Sequence, residues 1–307
     1  MNVLILGGYG VFGGRLARLL VEDGHTVTVA GRNGQKARGF ATEIGANPLQ
    51  LDSTDADALA AALNTTEVVI DAAGPFQGYD DDPYRVPRAA IAKGRHYLDL
   101  SDDAGFTSGI STLHGDAEAK GVTVLSGLSS VPAFSAAAAR SGSNGLTEIA
   151  LIESAILPGN RAPRGMSVMR AILSQAGNPL PLWRGGQWRD THAWTKSKHI
   201  HLSVPPSWEK YPGGSGGLGP PASRRLKGGA NLAPITRPAA FIGAPDLTLF
   251  PQHFNARSVL FRAGLELRLM HHGLAAFALI RRFRLLPRLD RFATPLHRVA
   301  SWLEGGG

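Results

Sequence analysis

The fold of this chain is decided by its first segment, MNVLILGGYGVFGGRLARLLVEDG (1–24). The segment opens with the apolar run VLIL (3–6), passes through a glycine-rich turn and continues with apolar residues at helical spacing. A buried strand that leads through such a turn into an amphipathic helix is the first unit of a dinucleotide-binding βαβ fold. We therefore predict a phosphate-binding loop between this strand and this helix.

Three glycines of the turn, Gly8, Gly10 and Gly13, follow the spacing G-x-G-x-x-G. Gly8 is expected to permit the tight turn, Gly10 to let a pyrophosphate approach the backbone, and Gly13 to let the helix pack close to the strand. The pyrophosphate would then bind the free N–H groups at the positive end of the helix. The alternative is a glycine-rich turn without a ligand. The predicted loop comprises Gly8, Tyr9, Gly10, Val11, Phe12 and Gly13.

The rest of the first half alternates short apolar runs with segments rich in Ala, Leu, Arg and Glu. Such alternation indicates parallel strands joined by right-handed crossover helices. We predict an α/β fold in which residues 1–140 form a Rossmann domain, a doubly wound parallel sheet. The further predicted strands are TVTVA (26–30), PLQL (48–51), EVVIDA (67–72), HYLDL (96–100) and VTVLSG (122–127).

The pattern changes after residue 140, and we predict a second, α+β domain over residues 141–307. Proline and glycine are dense over residues 205–230, which indicates a long loop or lid. The expected elements of this half are a strand over 147–156, a helix over 164–176, an antiparallel strand pair over 188–202, and a helical pattern from residue 255 onward with a break at Pro287.

The end of the second predicted strand, Gly31-Arg32, indicates which dinucleotide binds. Enzymes that use NAD typically have an acidic residue here, which holds the ribose 2′-OH and would repel a 2′-phosphate. Arg32 can instead bind a 2′-phosphate through two charge-assisted hydrogen bonds. NADP is therefore predicted in preference to NAD; the alternative is that Arg32 faces solvent. Asp52, after the third strand, is expected either to approach the adenine or to cap the next helix.

The fourth predicted strand ends in the segment VVIDAAGPF (68–76), which carries a second group of predicted cofactor contacts. Open α/β sheets bind ligands at the carboxyl ends of their strands. Ala73 and Gly74 are small enough to leave room for the cofactor ribose, and Pro75 stiffens the turn toward the nicotinamide. We include Phe76 with these three residues in the predicted site.

Several segments, taken in order, resemble the saccharopine dehydrogenase-like family of NADP-binding oxidoreductases. The segments are LILGGYGVFGGRLARLL (4–20), VVIDAAGPFQ (68–77), AAIAKGRHYLDLS (89–101) and GVTVLSGLSSVPAFSAA (121–137). The second half resembles the family more loosely, around FNARSVLFRAGLELRLM (254–270). Because the ordered segments cover most of residues 1–140, the resemblance is more specific than the glycine loop alone.

The resemblance implies a Rossmann domain followed by a substrate and dimerisation domain, so a homodimer is an expected assembly. It does not fix the substrate, because the family contains lysine-pathway enzymes and relatives that act on lipids. A small or lipid-derived substrate is expected. Family members often continue past the point where this chain ends, and one interpretation is that the second domain is truncated at its C-terminus.

Hydride transfer usually needs one proton donor near the reacting atom. Asp99 and Ser101 lie at the carboxyl end of the fifth predicted strand and are the best-placed candidates. The alternative, which we favour, is that both shape a turn and cap the next helix. No Tyr-x-x-x-Lys pair occurs in the sequence, and no Ser lies in a G-x-S-x-G elbow between a predicted strand and a predicted helix. Weaker candidates for the donor are His96, Tyr97, Ser126, Ser129 and Ser130.

The charge of the chain is divided unevenly between its halves. Residues 1–150 contain 11 Lys and Arg against 17 Asp and Glu, a formal charge of −6, and residues 151–307 contain 21 against 7, a charge of +14. The segment over 260–292 is apolar and basic, so it is interpreted either as a helix on an anionic membrane or as a packing helix. A nucleic-acid role is not expected, because the basic half lacks a recognition motif.

The sequence has no cysteine, which excludes disulfides and thiolate metal sites. His199 with His201, and His271 with His272, form two histidine pairs, for which structural roles are favoured over metal binding. No secretory signal or apolar run of membrane-spanning length is evident. A cytoplasmic location is expected, with peripheral contact at the inner membrane face as an alternative.

Two functions are consistent with these observations. The first is an NADP-dependent oxidoreductase that closes its second domain over the cofactor and transfers a hydride. The second is a non-catalytic NADP-binding sensor or scaffold protein, because a fold does not by itself establish an activity. A proton donor within reach of the nicotinamide would favour the enzyme, and a blocked nicotinamide pocket would favour the sensor.

Overall fold

The computed structural model of the protein describes residues 1–79, 82–159, 162, 165–202, 235–283 and 292–296. The strands are β1 (Asn2–Leu6), β2 (Thr26–Gly31), β3 (Asn47–Gln50), β4 (Val68–Asp71), β5 (His96–Asp99), β6 (Val124–Leu125), β7 (Ile152–Ile156), β8 (Pro179–Trp183), β9 (Trp188–His192), β10 (Lys198–Leu202), β11 (Ile235–Phe241) and β12 (Val259–Ala263). The predicted loop over 205–230 and the break at Pro287 lie outside the described residues.

The α-helices follow in chain order between these strands. They are α1 (Val11–Glu22), α2 (Gly34–Ile44), α3 (Ala56–Leu63), α4 (Arg85–Ala92), α5 (Ala104–Gly109), α6 (His114–Ala119), α7 (Ser135–Gly142), α8 (Met166–Gln175), α9 (Pro245–His253) and α10 (Arg268–Arg282).

The first sheet has six strands in the order β3-β2-β1-β4-β5-β6, all paired in parallel. This order is that of the Rossmann fold, and it reverses between β1 and β4. The six apolar runs of the first half therefore form the predicted strands, although the last of them contributes only Val124–Leu125. The predicted doubly wound parallel sheet is confirmed.

Helices cover both faces of the first sheet, which explains why its central strands β1 and β4 are largely apolar and buried. On one face Val3 and Ile5 of β1 pack in a cluster with Ala17 of α1 and Ala41 of α2. On the other face the alternate residues of β1 pack in a cluster with α3 and α4, and its members include Leu4, Leu6, Leu59, Leu63, Val86 and Ala90. The two layers hold the carboxyl ends of the strands at one edge.

The second sheet is mixed, with the order β10-β11-β12-β8-β9 and with β7 paired in parallel to β12. The predicted antiparallel pair within residues 188–202 is wrong, because β9 pairs with β8 and β10 pairs with β11. Between these strands the backbone of Trp194 and Lys196 has positive φ, and the Trp194 amide donates to Phe241 O. The turn formed here takes the chain from β9 at one edge of the sheet to β10 at the other edge.

The helical pattern expected from residue 255 is also wrong over its first part, because Val259–Ala263 form the strand β12 and the helix α10 begins only at Arg268. Every residue of β12 is buried. Its one cation, Arg262, donates to Glu153 Oε1 at 2.7 Å and lies 3.7 Å from the centre of the Phe241 ring. An ion pair and an aromatic face thus accommodate the charge within a buried strand.

A buried carboxyl group joins α7, which follows the first sheet, to α9 of the second half. Asp246 in the first turn of α9 is 0% exposed and accepts a hydrogen bond of 2.9 Å from Ser135 Oγ. Burial raises the pKa of Asp246 to about 7, against opposing hydrogen bonds that include those from Ser135 and Ser154. Folding therefore favours the protonated form of this group.

We predict that Asp246→Asn stabilises the protein at alkaline pH. Because the folded-state pKa is raised, the protonated group's contribution is present at low pH and is lost as the pH rises through about 7. The difference in the free energy of unfolding between variant and wild type should rise by about 2 kcal/mol from pH 5 to pH 8. Urea unfolding at both pH values measures this gain, with Asp23→Asn at an exposed position as control. A gain of equal size at both pH values would contradict the prediction.

Candidate functional site

The loops that follow β1 and β4 meet where the strand order reverses. Gly7 has a φ of 70°, and a Cβ on this residue would lie 2.7 Å from both Ala72 O and Ala73 Cα. Only glycine satisfies both the backbone conformation and the close approach. Open α/β sheets bind ligands in the crevice at this point, so the contact fixes the floor of the candidate site.

The N-terminus of α1 opens into the same crevice. Gly10 is the N-cap residue, has extended backbone, and makes no side-chain cap. A Cβ on Gly10 would meet only Gly7 O, at 3.0 Å, whereas a Cβ on Gly13 would lie 2.4 Å from that same oxygen. Gly13 therefore makes the predicted close approach between the helix and the strand. The space above Gly10 is left for a ligand.

The tight turn depends on Gly7 and not, as predicted, on Gly8. A Cβ on Gly8 would lie 2.9 Å from Ile5 O and 3.1 Å from Val29 Cγ1, so this glycine serves close packing between β1 and β2. The sequence motif missed Gly7 because G-x-G-x-x-G begins one residue later. The doubled glycine Gly7-Gly8 was the available signal.

Tyr9 lies across the end of β2. A Cβ on Gly31 would lie 2.6 Å from the Tyr9 ring, and Tyr9 Oη accepts a hydrogen bond of 3.0 Å from the Asn33 amide. The Tyr9 ring therefore leaves no room for a side chain at Gly31. This is a second reason, besides the choice of cofactor, for the lack of an acidic residue at the end of β2. Tyr9 connects the glycine loop to the region predicted for the 2′-phosphate.

Arg32 is exposed beside this region. Its carbonyl oxygen accepts from Gln50 Nε2 at 3.2 Å, which fixes the backbone and leaves the guanidinium in solvent. Hydrogen bonds from Thr54 lower the pKa of Asp52, and the charge of Arg32 lowers it further. The helix-capping interpretation of Asp52 is wrong, because the N-cap of α3 is Asp55, whose side chain accepts from Ala58 N at 3.0 Å.

Val11 and Phe12 begin α1, and Phe12 is 53% exposed. Gly165, the N-cap residue of α8, lies so close to Val11 that a Cβ on it would be 3.3 Å from Val11 Cγ2. The second half of the chain thus contacts the candidate phosphate-binding loop directly.

The loop after β4 runs through Ala73 and Gly74 to the cis peptide bond before Pro75. The ring of Phe76 is 6% exposed and packs against Tyr79 and Phe106, with centroid distances of 5.1 Å and 5.0 Å. The side chain of Phe76 therefore anchors the loop in the protein interior.

Asp99 and Ser101 are each 0% exposed. Asp99 Oδ1 accepts hydrogen bonds from Ser101 N, Ser126 Oγ and Gly127 N at 2.8 to 2.9 Å. Ser101 Oγ accepts from Asp103 N at 3.1 Å. These bonds favour the turn-shaping interpretation of both residues over a catalytic one, and the cap of α5 itself is Asp103.

The other predicted donors are dispersed. His96 begins β5, at the edge opposite the crevice, and its Nδ1 accepts from Thr123 N. Tyr97 is fully buried in the sheet. Ser129 is half-buried and Ser130 is exposed in the turn before α7.

Asp71, at the end of β4, is a buried carboxyl that the sequence prediction did not single out. It is 1% exposed, and it accepts from Ala73 N at 3.0 Å and from Tyr79 Oη at 2.9 Å. Burial raises the pKa of Asp71 to about 6, opposed by these two hydrogen bonds. The signal was present in the sequence, since VVID and HYLD are apolar strands that both end in aspartate.

The histidine pairs do not come together as a metal site. Within the part of the chain that the structure describes, no three His, Asp or Glu side chains are grouped to hold an ion. His271 is buried against Trp194 and bonds through Nε2 to Ser197 Oγ at 2.9 Å, while His201 Nδ1 bonds to Thr236 Oγ1. Burial lowers the pKa of His271 to about 4. Among the described helices, none is long and apolar enough to cross a membrane.

Comparison with solved structures supports the fold of both halves. The apo saccharopine dehydrogenase (L-Glu forming) of Saccharomyces cerevisiae matches 90% of this chain with a TM-score of 0.58 and 18% identity. The chain covers 56% of that protein's length. The 3-hydroxyacyl-CoA dehydrogenase type-2 of Mycobacterium avium matches 41% of this chain, and the match covers 72% of that protein. The identity is 19% and the TM-score is 0.36, which is too low to support an argument.

Comparison with protein families identifies the first half. Residues 3–125 match the model of the saccharopine dehydrogenase NADP binding domain. The match spans the glycine loop, the end of β2 and the loops after β4 and β5, which are the elements that form the crevice. Over these residues the chain is similar to the NADP binding domain of saccharopine dehydrogenases.

Proposed function

We propose that the protein is an NADP(H)-dependent oxidoreductase that transfers a hydride to or from a small or lipid-derived substrate. The observation that carries the proposal is the crevice at Gly7, where the loops after β1 and β4 meet beside the open N-terminus of α1. The pyrophosphate would bind at Gly10, the 2′-phosphate at Arg32, and the nicotinamide half beside Ala73 and Gly74.

The second half is proposed to complete the site as a substrate and dimerisation domain over residues 141–307, after a cofactor domain over residues 1–140. The contact between Gly165 and Val11 supports this, because it brings the N-terminus of α8 against the loop proposed to hold the pyrophosphate. A substrate bound between the halves would lie next to the nicotinamide.

A non-catalytic NADP sensor or scaffold is the second candidate. It is favoured by the burial of Asp99 and Ser101, which leaves neither of the two best-placed candidate donors accessible to a substrate. The two functions differ in one measurable property, because an enzyme transfers the hydride of bound NADPH and a sensor only binds it.

Hydride transfer is tested with NADPH deuterated at C4, incubated with the protein and with separate polar and lipid metabolite extracts. We expect deuterium in a product of one extract, and binding without transfer would instead favour the sensor. Gly10→Ala should abolish transfer, because its Cβ occupies the space proposed for the pyrophosphate while its extended backbone suits any residue. Gly39→Ala on α2, where a Cβ meets nothing within 4 Å, is the matched control.

We predict that Arg32→Ala selectively weakens NADP binding. Loss of a charged hydrogen bond to the 2′-phosphate should cost about 1.5–3 kcal/mol, and NAD binding should be nearly unchanged. Calorimetric titration with both cofactors measures the difference. Lys120→Ala, an exposed cation after α6 and before β6, serves as control because it lies at the opposite edge of the sheet. Equal losses for NADP and NAD would refute the assignment of Arg32.

We further propose a cytoplasmic location with peripheral contact at the inner membrane face through α10. Apolar side chains line its solvent side, with Leu269 79% and Phe283 68% exposed. Arg268 and Arg282 at its two ends are exposed cations, whereas Arg281 is bonded to the carbonyl oxygens of α8 residues and of Ala176. Apolar burial combined with attraction to anionic headgroups would hold such a helix on a lipid surface.

We predict sedimentation of the protein with anionic vesicles but not with zwitterionic ones, and release by about 0.5 M salt, because salt screens exposed charges. Phe283→Glu should abolish the binding, whereas Leu19→Glu, at a position that is 56% exposed on α1, should not. Absence of vesicle binding would contradict the proposal. Dimers in sedimentation velocity that Phe283→Glu dissociates would then assign the same surface to a second copy.

A further inference from the structure

Two buried carboxyl groups lie side by side at the edge of the sheet that faces the crevice. Asp71 ends β4, Asp99 ends β5, and the two residues are direct partners in the parallel register. Paired residues of adjacent strands point to the same face of a sheet, so the carboxyl groups are neighbours. They are 1% and 0% exposed.

Asp71 holds the loop that follows β4. Its Oδ1 accepts from Ala73 N at 3.0 Å, and both of its oxygens accept from Tyr79 Oη, at 3.0 and 2.9 Å. Tyr79 itself packs against Phe76. The carboxyl group therefore fixes both ends of the segment 73–79, which contains the residues predicted to contact the cofactor.

Asp99 holds the loops that follow β5 and β6. Its Oδ1 accepts from Ser101 N in one loop, and from Ser126 Oγ and Gly127 N in the other. Its carbonyl oxygen accepts from Leu128 N at 2.9 Å. One side chain thus connects the loops that follow β5 and β6.

The burial of both acids is energetically unfavourable. Burial raises the pKa of Asp99 despite the hydrogen bonds that it accepts, and burial together with the nearby charge of Asp99 raises the pKa of Asp71. Within the described residues, neither carboxyl group bonds to a Lys or Arg side chain. Groups kept buried at such a cost cluster at functional sites.

We propose that Asp71 and Asp99 are positioning residues that hold the loops after β4, β5 and β6 in place for the nicotinamide half of NADP(H). The inference rests on the proposed function. The adenosine half has separate determinants, since the glycine loop and the end of β2 make no hydrogen bond to either carboxyl group. Loss of a carboxyl group should therefore affect the two halves of the cofactor unequally.

The test compares two ligands, NADPH and adenosine 2′,5′-bisphosphate, which carries the adenosine half alone. We expect Asp99→Ala to weaken NADPH about tenfold or more, the scale of lost charged hydrogen bonds, and the bisphosphate less than about twofold. Asp71→Ala should act in the same direction. Asp99→Asn retains the Oδ1 acceptor, so it should restore most of the NADPH affinity.

Milder and matched variants keep the test decisive if an alanine variant unfolds. Ser126→Ala removes one donor to Asp99, and Tyr79→Phe removes one donor to Asp71. Each should weaken NADPH more than the bisphosphate. Asp246→Ala removes a carboxyl group that is equally buried but lies in the second half, and it should leave the ratio of the two affinities unchanged.

Equal losses for both ligands, or unchanged NADPH binding in every variant, would overturn the inference. These outcomes differ from failure of the proposed NADP(H) site, in which the wild-type protein binds neither ligand. They differ also from failure of the proposed hydride transfer, in which the wild-type protein binds NADPH without transferring its hydride. A changed affinity ratio in Asp246→Ala would also count against the inference, because it would show that any buried acid alters the nicotinamide half.

Discussion

The close contact between the loops after β1 and β4 is the constraint on which the site depends. At Gly7 the backbone must adopt positive φ, pass within van der Waals contact of Ala72 and Ala73, and present its carbonyl oxygen to Gly10 and Gly13. No side chain can occupy this space. The contact brings the N-terminus of α1 next to the end of β4, so the sites proposed for the pyrophosphate and for the nicotinamide form one crevice.

Burial of acidic groups is the second feature that organises the molecule. Asp71, Asp99 and Asp246 are all fully enclosed, and each is held by hydroxyl or backbone N–H donors. Burial without a neighbouring cation disfavours the ionised form of a carboxyl group, which is the reason that their pKa values are raised. Two of these groups fix the loops around the crevice, and the third connects α7 to α9.

The second half is built differently from the first. Its strands pair across long sequence separations, as β12 does with β7, and the sheet has a buried Arg262 in place of a uniformly apolar interior. It also carries the basic charge of the chain and the exposed apolar side of α10. The acidic half is proposed to bind the cofactor. The basic half is proposed to bind the substrate and, through α10, a lipid surface.

The sequence by itself determined the first sheet, because each of its strands is an apolar run and each βαβ unit closes on its neighbour. It also determined the glycine loop and the absence of an acidic residue at Gly31-Arg32. Only the tertiary structure decided that β9 and β10 lie at opposite edges of the second sheet, since turns at Trp194 and Lys196 separate these successive strands. It likewise showed Asp71 beside Asp99, because residues 28 positions apart in the chain become neighbours only through strand register.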